Sequence, residues 1–254
     1  MIRSIFTLLI AIVFLYVLFP LLIIEWIIGK FNPGLMHRSS LKMVQAVFRM
    51  MMFTAGVDLT VVGRENIPDD EPVLYVANHR SYFDIIIGYT LVKGECGFIS
   101  KKEMRAVPLL GIWMDRLHCL FLDRQNPREA LTTILTGIDY LKAGKSMWIF
   151  PEGTRSPGND MLPFKEGSLK LASKSKRAVV PVTFLNTDDV LENHMPFCRK
   201  TKVTVVFGEP IRTADLSRGD LKLLAPMSQD VIRKTLEELT GQTVLIRDDV
   251  KEEN

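Results

Sequence analysis

The segment of this chain best equipped for chemistry is Asn78-His79-Arg80-Ser81-Tyr82-Phe83-Asp84. It lies between an apolar strand-like run, Val73–Ala77, and an apolar helix-like run, Ile85–Leu91. His79 and Asp84 are spaced to act as a base and its orienter. A neutral imidazole can take the proton of an attacking hydroxyl, while a carboxylate on its other nitrogen fixes the tautomer and stabilises the imidazolium as it forms. The design recurs at Phe150-Pro151-Glu152-Gly153-Thr154-Arg155-Ser156, again after an apolar run. Gly153 permits a tight turn, and Arg155 can grip phosphate oxygens through paired bonds. Glu152 can orient that arginine or bond a glycerol hydroxyl. One segment activates a hydroxyl and the other holds a phosphate, which suits acyl transfer onto a phosphorylated alcohol. Taken singly, the first segment also reads as a helix cap and the second as a loop ion pair.

Other residues fit the same scheme. Arg124, in Phe121-Leu122-Asp123-Arg124, is a second phosphate ligand at a strand end. Lys101, in Ser100-Lys101-Lys102-Glu103, places a point charge at another. Gly167, in Phe164-Lys165-Glu166-Gly167, is expected to allow close backbone approach. Val180-Pro181-Val182 reads as an edge strand that can line an acyl groove. The chain has no GxSxG elbow, Walker A loop or GxGxxG fingerprint. Nothing therefore requires a covalent acyl-enzyme, and direct attack of the hydroxyl on a thioester is the simpler scheme. The adjacent His118 and Cys119 have no partners at zinc-like spacing, so no metal or resident cofactor is expected.

These residues need a scaffold. Short apolar, β-branched runs predict strands at Leu59–Val62, Val73–Ala77, Gly97–Ser100, Leu117–Leu122, Met147–Phe150, Val179–Phe184 and Val203–Phe207. Helical patterns fall between them at Phe83–Leu91, Leu109–Arg116, Arg128–Lys142, Lys165–Ser175 and Leu221–Leu239. This alternation predicts an α/β fold: a single layered domain with a mixed, largely parallel sheet flanked by helices, over residues 56–245. Residues 246–254 read as a polar tail.

Residues 1–55 differ in composition. Hydrophobic residues make up 47% of the 254-residue chain, and the excess is concentrated at the start, where Ile5–Ile24 carries no charge. A stretch of about 20 apolar residues can cross a bilayer core as a helix, and it exceeds the h-region of a signal peptide. Pro20 is expected to kink it. After Asn32-Pro33-Gly34 a second, amphipathic helix is expected, from Leu35 or Ser39 to about Thr54, with a basic side suited to a membrane interface. The domain is thus preceded by an N-terminal membrane-associated helical pair. Basic residues are commoner after the first helix than before it, which puts the catalytic domain on the cytoplasmic face. The net charge of +3 is too small to argue for nucleic acid. Three scattered cysteines give no disulfide framework and fit a reducing compartment.

The motifs, in order, resemble those of the 1-acylglycerol-3-phosphate O-acyltransferase family: Asn78-His79-x4-Asp84, Phe121-x-Asp123-Arg124, Phe150-Pro151-Glu152-Gly153-Thr154-Arg155-Ser156, then Val180-Pro181-Val182. The resemblance covers roughly residues 58–210. It implies His79 as general base on the sn-2 hydroxyl of lysophosphatidate, with Asp84 as its orienter. It implies Lys101, Arg124, Glu152, Gly153, Thr154 and Arg155 in glycerol-phosphate binding. The acyl donor would be acyl-CoA or acyl carrier protein, as co-substrate. Backbone amides at the helix start after His79 are expected to meet the oxyanion. The family usually has glycine three positions before the phenylalanine of its second block, where this chain has His118. That departure motivates a second reading, acylation of another lysophospholipid or a lyso-aminolipid. A reading from a different class is a membrane lipid-binding scaffold whose site is retired.

Overall fold

The computed structural model describes residues 1–156 and 158–247. Among them, strands β1 (Val57–Val62), β2 (Leu74–Ala77), β3 (Cys96–Lys101), β4 (Leu120–Leu122), β5 (Ser146–Ile149), β6 (Val179–Leu185) and β7 (Thr201–Phe207) form one sheet. Its order is β1-β7-β6-β2-β5-β3-β4. Neighbours are parallel except β6 and β7, so the sheet is mixed and largely parallel, as expected. Helices α4 (Tyr82–Leu91), α5 (Leu110–Arg116), α6 (Pro127–Lys142), α7 (Lys170–Ser175) and α8 (Leu224–Thr240) flank it.

Every residue of β2 and β6 is buried. A strand covered on both faces has no polar side to alternate with, which is why these runs are almost continuously apolar, with Thr183 the one hydroxyl-bearing aliphatic residue. Successive side chains still point to opposite faces. Tyr75 and Ala77 enter one core with Phe83, Phe98 and Trp148, while Leu74 and Val76 enter the other with Ile138, Leu171 and Leu224. By contrast β1 alternates along its length, as a strand with one wetter face should.

Two strand expectations change. β4 begins at Leu120 rather than Leu117, because Leu117 ends α5 and His118 turns the chain with φ +59°. β6 is not an edge strand, since β2 and β7 lie on either side. Pro181 is tolerated because β7 ends beside it, and its carbonyl still accepts the Gly208 N–H at 2.8 Å.

The N-terminal apolar stretch is not one helix. α1 (Ile2–Ile12) runs into a π-turn (Val13–Val17), and α2 (Phe19–Phe31) leaves at 51°. The break is centred on Leu18, and Pro20 occupies the first turn of α2, where its missing N–H costs nothing. No single helix among the described residues is long and apolar enough to cross a membrane, although the bent pair passes that test together. α3 (Pro33–Ala55) follows, capped by Asn32, whose side chain accepts from Leu35 N at 2.9 Å. Its partners are α1 and α2 on one side and α4 on the other. The inward faces of α1 and α2 carry Thr7, Phe14, Leu22 and Glu25, while Ile5, Leu8, Leu9, Ile12, Trp26 and Phe31 are exposed.

Two residues of the expected tail contact the domain. Ile246 bridges to Met161, and the Arg247 guanidinium pairs with Asp160 at 2.5 Å. Residues 248–254 lie outside the described residues.

Candidate active site

Register explains why two segments 73 residues apart meet. β2 and β5 are adjacent and parallel, with Val76 opposite Ile149. His79 and Glu152 each lie three positions further on, so both emerge at the carboxyl edge of the sheet, where open α/β sheets bind their ligands. β3 and β4 continue that edge. Lys101 pairs with Leu122, and Arg124 follows two residues later. His79, Glu152, Lys101 and Arg124 therefore fan across four neighbouring strand ends.

His79 Nδ1 lies 2.8 Å from Asp84 Oδ2. The same oxygen accepts the N–H groups of Arg80 at 2.7 Å and Ser81 at 2.8 Å. Ser81 caps α4, and Asp84 completes the capping box, so the cap and the contact with His79 are made by the same carboxylate. The Asp84 side chain is wholly buried, whereas that of His79 is 16% exposed. Three donors on one oxygen fix the carboxylate, which in turn holds Nδ1 as the protonated nitrogen. The imidazole is stacked on Phe150, with ring centroids 4.1 Å apart and planes 18° apart. Nε2 has no partner among the described residues and is the nitrogen available to a substrate.

Asn78, the residue before His79, is buried and splices β2 to β6. Its side chain donates to the Phe184 carbonyl at 2.9 Å and receives the Phe184 N–H at 2.8 Å.

Glu152 is 2% exposed. One carboxylate oxygen accepts His79 N–H at 2.7 Å and the other accepts Leu162 N–H at 2.8 Å. Ser156 N–H and Oγ–H reach back to the His79 carbonyl at 2.8 and 3.1 Å. Glu152 thus faces the backbone that carries His79. Burial pushes its carboxyl up to about 8, against the downward pull of the two amides. The raised value makes the protonated form the folded form over a wide range. Its stabilising effect is complete below about 4.5, the ordinary carboxyl value, and is lost as pH rises through about 8. The unfolding free energy of the wild type should therefore fall between those limits by at most about 1.4 kcal/mol per pH unit relative to Glu152→Gln. Denaturant melts of both proteins at pH 5 and 8 check this; parallel behaviour would contradict it.

The cations gather around the Gly153 turn. Gly153 has φ +81°, a conformation that side chains disfavour, and an added Cβ would lie 3.0 Å from Lys165 Nζ and 3.5 Å from Arg124 Nη2. The Arg124 guanidinium donates to the Gly153 carbonyl. Gly167, by contrast, has nothing within 4 Å of an added Cβ, so the expected close approach is not there. Thr154 follows Gly153 in the same turn. Arg155 lies over the Tyr82 ring, 4.3 Å from its centroid, at the first turn of α4. Next to Lys101, Lys102 pairs with Asp123 at 2.6 Å, and Asp123 also accepts from Gln125 N–H at 2.8 Å.

Two members were not found in the sequence. Lys165 stands out in the sequence only as part of Phe164-Lys165-Glu166-Gly167. Glu192 carried no motif at all. Its carboxylate takes Ser81 Oγ–H at 2.6 Å, Tyr82 N–H at 2.8 Å and the Arg155 guanidinium at 3.4 Å. It therefore joins the start of α4, just after His79, to the arginine expected to hold phosphate, and only folding makes that visible.

Two expectations are revised. The amides at the start of α4 are all engaged: His79 N–H by Glu152, Arg80 and Ser81 N–H by Asp84, Tyr82 N–H by Glu192, and Phe83 N–H by Ser81. None is open to an oxyanion. His118 lies at the opposite end of β4 from Arg124, so its presence says nothing about the acceptor. Its φ of +59° is one that glycine adopts without cost and histidine tolerates. Its ring lies against that of His37, with centroids 4.1 Å apart and planes tilted by 45°, and bonds Glu95 at 3.0 Å. Burial, with His37 and Lys145 nearby, lowers it to about 4. Gly97 is required beside it, because any Cβ there would meet the His118 carbonyl at 2.0 Å.

Residues 58–185 match the family model described as Acyltransferase. The chain is 32% identical over 218 residues to the 1-acyl-sn-glycerol-3-phosphate acyltransferase of Saccharomyces cerevisiae, across 85% of this chain and 71% of that one. It is 31% identical over 203 residues to the enzyme of the same name from Borreliella burgdorferi, across 79% and 80%. The crystal structure of the 1-acyl-sn-glycerophosphate (LPA) acyltransferase PlsC from Thermotoga maritima is similar with a TM-score of 0.80 at 26% identity, covering 94% of this chain and 95% of that one. The matched span contains every site residue from His79 to Arg155, and with relatives this similar over most of their lengths the chain belongs to the acyltransferase family.

Proposed function

We propose that this acyltransferase moves an acyl chain from a CoA or carrier-protein thioester to the sn-2 hydroxyl of 1-acylglycerol-3-phosphate, giving phosphatidate. The observation that carries the reading is the His79–Asp84 pair at 2.8 Å, with Nε2 open on the edge where the cations gather. The relatives' names supply the acceptor. The hydroxyl gives its proton to Nε2 as its oxygen bonds the thioester carbon. The C–S bond then breaks, and the proton passes to the departing thiolate. Asp84 holds the tautomer and offsets the imidazolium charge. Arg155, Arg124 and Lys101 hold the acceptor phosphate, with Lys165 beside them. Binding energy from the phosphate positions the hydroxyl at the far end of the glycerol. Glu152 acts as a positioning residue through the His79 amide. With the α4 amides engaged, charge on the thioester oxygen falls to the cationic side chains.

The acyl tail of the acceptor favours attachment of the protein to a leaflet. The exposed apolar faces of α1 and α2 support this, since such patches on soluble proteins are rarely so extended. A bent pair suits entry into one leaflet of the cytoplasmic face.

The test is an acceptor panel. Lysophosphatidate should be acylated to phosphatidate, identified by mass. Monoacylglycerol, which lacks the phosphate, should be used at least about a hundredfold less efficiently, because several charge-assisted bonds are lost. Indifference to the phosphate would sink the reading. Arg155→Lys should raise the KM for lysophosphatidate about tenfold and leave kcat within about threefold, because lysine keeps the charge but not the fork. A selective fall in kcat would contradict that role.

A further inference from the structure

A cavity of about 610 Å³ opens between the start of α1, the end of α3 and the first residues of β1 and β7. β1 and β7 run opposite to β6 and β2, so their starts lie on the same edge of the sheet as His79. Three strand spacings, about 14 Å, separate β1 from β2. The cavity is therefore distinct from the catalytic fan but level with it.

Its wall is amphipathic. Ile2, Phe6 and Phe53 line the apolar side, and Phe53 is 83% exposed. Arg3 and Lys200 supply two cations against one carboxylate, Asp58. Among the described residues neither cation has an ion pair or a side-chain hydrogen bond. Gly56 gives Arg3 its room: a Cβ there would lie 2.4 Å from Arg3 Nη1 and 3.1 Å from Lys200 Cα. The apolar wall continues into the exposed face of α1 at Ile5, Leu8, Leu9 and Ile12. Unpaired cations at the end of an apolar helical face match a phosphate carried on acyl chains.

We propose that this cavity binds the phosphate of an anionic membrane phospholipid, whose chains lie along α1. The bound lipid would set the depth at which the catalytic edge meets the leaflet. The proposal rests on the membrane attachment argued above and is independent of acyl transfer.

The experiment uses the full chain in detergent with Phe53→Trp as a local reporter, its emission compared with the unsubstituted protein. Dihexanoyl phosphatidylglycerol, below its micellar concentration, should shift the emission saturably. Arg3→Gln with Lys200→Gln should weaken that binding about tenfold. Arg218→Gln with Lys222→Gln, two exposed cations elsewhere, should leave it unchanged. Both cavity positions are exposed, so the fold is not at risk, and lysophosphatidate acylation in detergent should persist in the cavity variant. Equal response to dihexanoyl phosphatidylcholine would overturn the assignment, as would an unchanged double variant. An equal response to inorganic phosphate would make it a free-anion site and overturn the lipid assignment. Loss of acylation in every protein would count against the proposed reaction and leave the titration to stand by itself.

Discussion

Replacing His79 by alanine is expected to lower kcat by about a thousandfold or more, within the range that general base catalysis supplies. The fold should survive. His79 is partly exposed, and the carboxylate it leaves behind keeps two backbone donors, Arg80 N–H and Ser81 N–H. Asp84 is then a buried charge that has lost one of three bonds, not an orphan. The remaining loss is contact with Phe150, and each kcal/mol lost lowers Tm by about 2–4 °C in a chain of this size. Initial rates with saturating lysophosphatidate, beside a thermal melt, check both halves. A variant that retains a tenth of the activity removes His79 as the base. One that melts far lower leaves the rate uninterpretable, and His79→Gln then serves instead.

Asp84→Asn should be nearly as damaging, by about a hundredfold to ten-thousandfold in kcat, while the KM for lysophosphatidate stays within a few-fold. The asparagine oxygen can still accept from Arg80 and Ser81, so the α4 cap is largely kept. What is lost is charge opposite the forming imidazolium. If the amide instead turns its NH₂ group towards Nδ1, it leaves the proton on Nε2, the wrong nitrogen, and gives up the bonds from Arg80 and Ser81, which share the same oxygen. Because Asp84 caps the helix as well, a fall in stability alone would show only the structural role. The split between kcat and KM is what a merely structural role would not give. A KM effect without a kcat effect would contradict the assignment.

Much of the sheet was legible because its strands are buried on both faces. Leu74-Tyr75-Val76-Ala77 and Val179 to Leu185 are apolar but for Thr183, and that near-continuity survives in one dimension. The His79–Asp84 pair was legible because it is local: one cap and one turn of helix bring its members together. Glu152 was found, but its destination was not. Its bond to His79 N–H depends on Val76 facing Ile149, a register that no local pattern encodes. Glu192 lies further out of reach, 111 residues from Ser81 at the start of a short 3-10 turn with no motif of its own. Boundaries went astray where a single backbone conformation decided them. Leu117-His118-Cys119 reads as strand, yet His118 at φ +59° ends the turn of α5 there. The sequence points to Pro20 for a break that centres on Leu18, since proline is visible in sequence and a π-turn is not.

The most direct measurement is thiol release from acyl-CoA by purified, detergent-solubilised protein, with and without lysophosphatidate, beside His79→Ala. Direct attack by the acceptor hydroxyl through His79 requires release that depends on the acceptor and vanishes in the variant. Equal release without acceptor would mean that water is the nucleophile, and undiminished release in His79→Ala would mean that another group is the base; either result would contradict the mechanism.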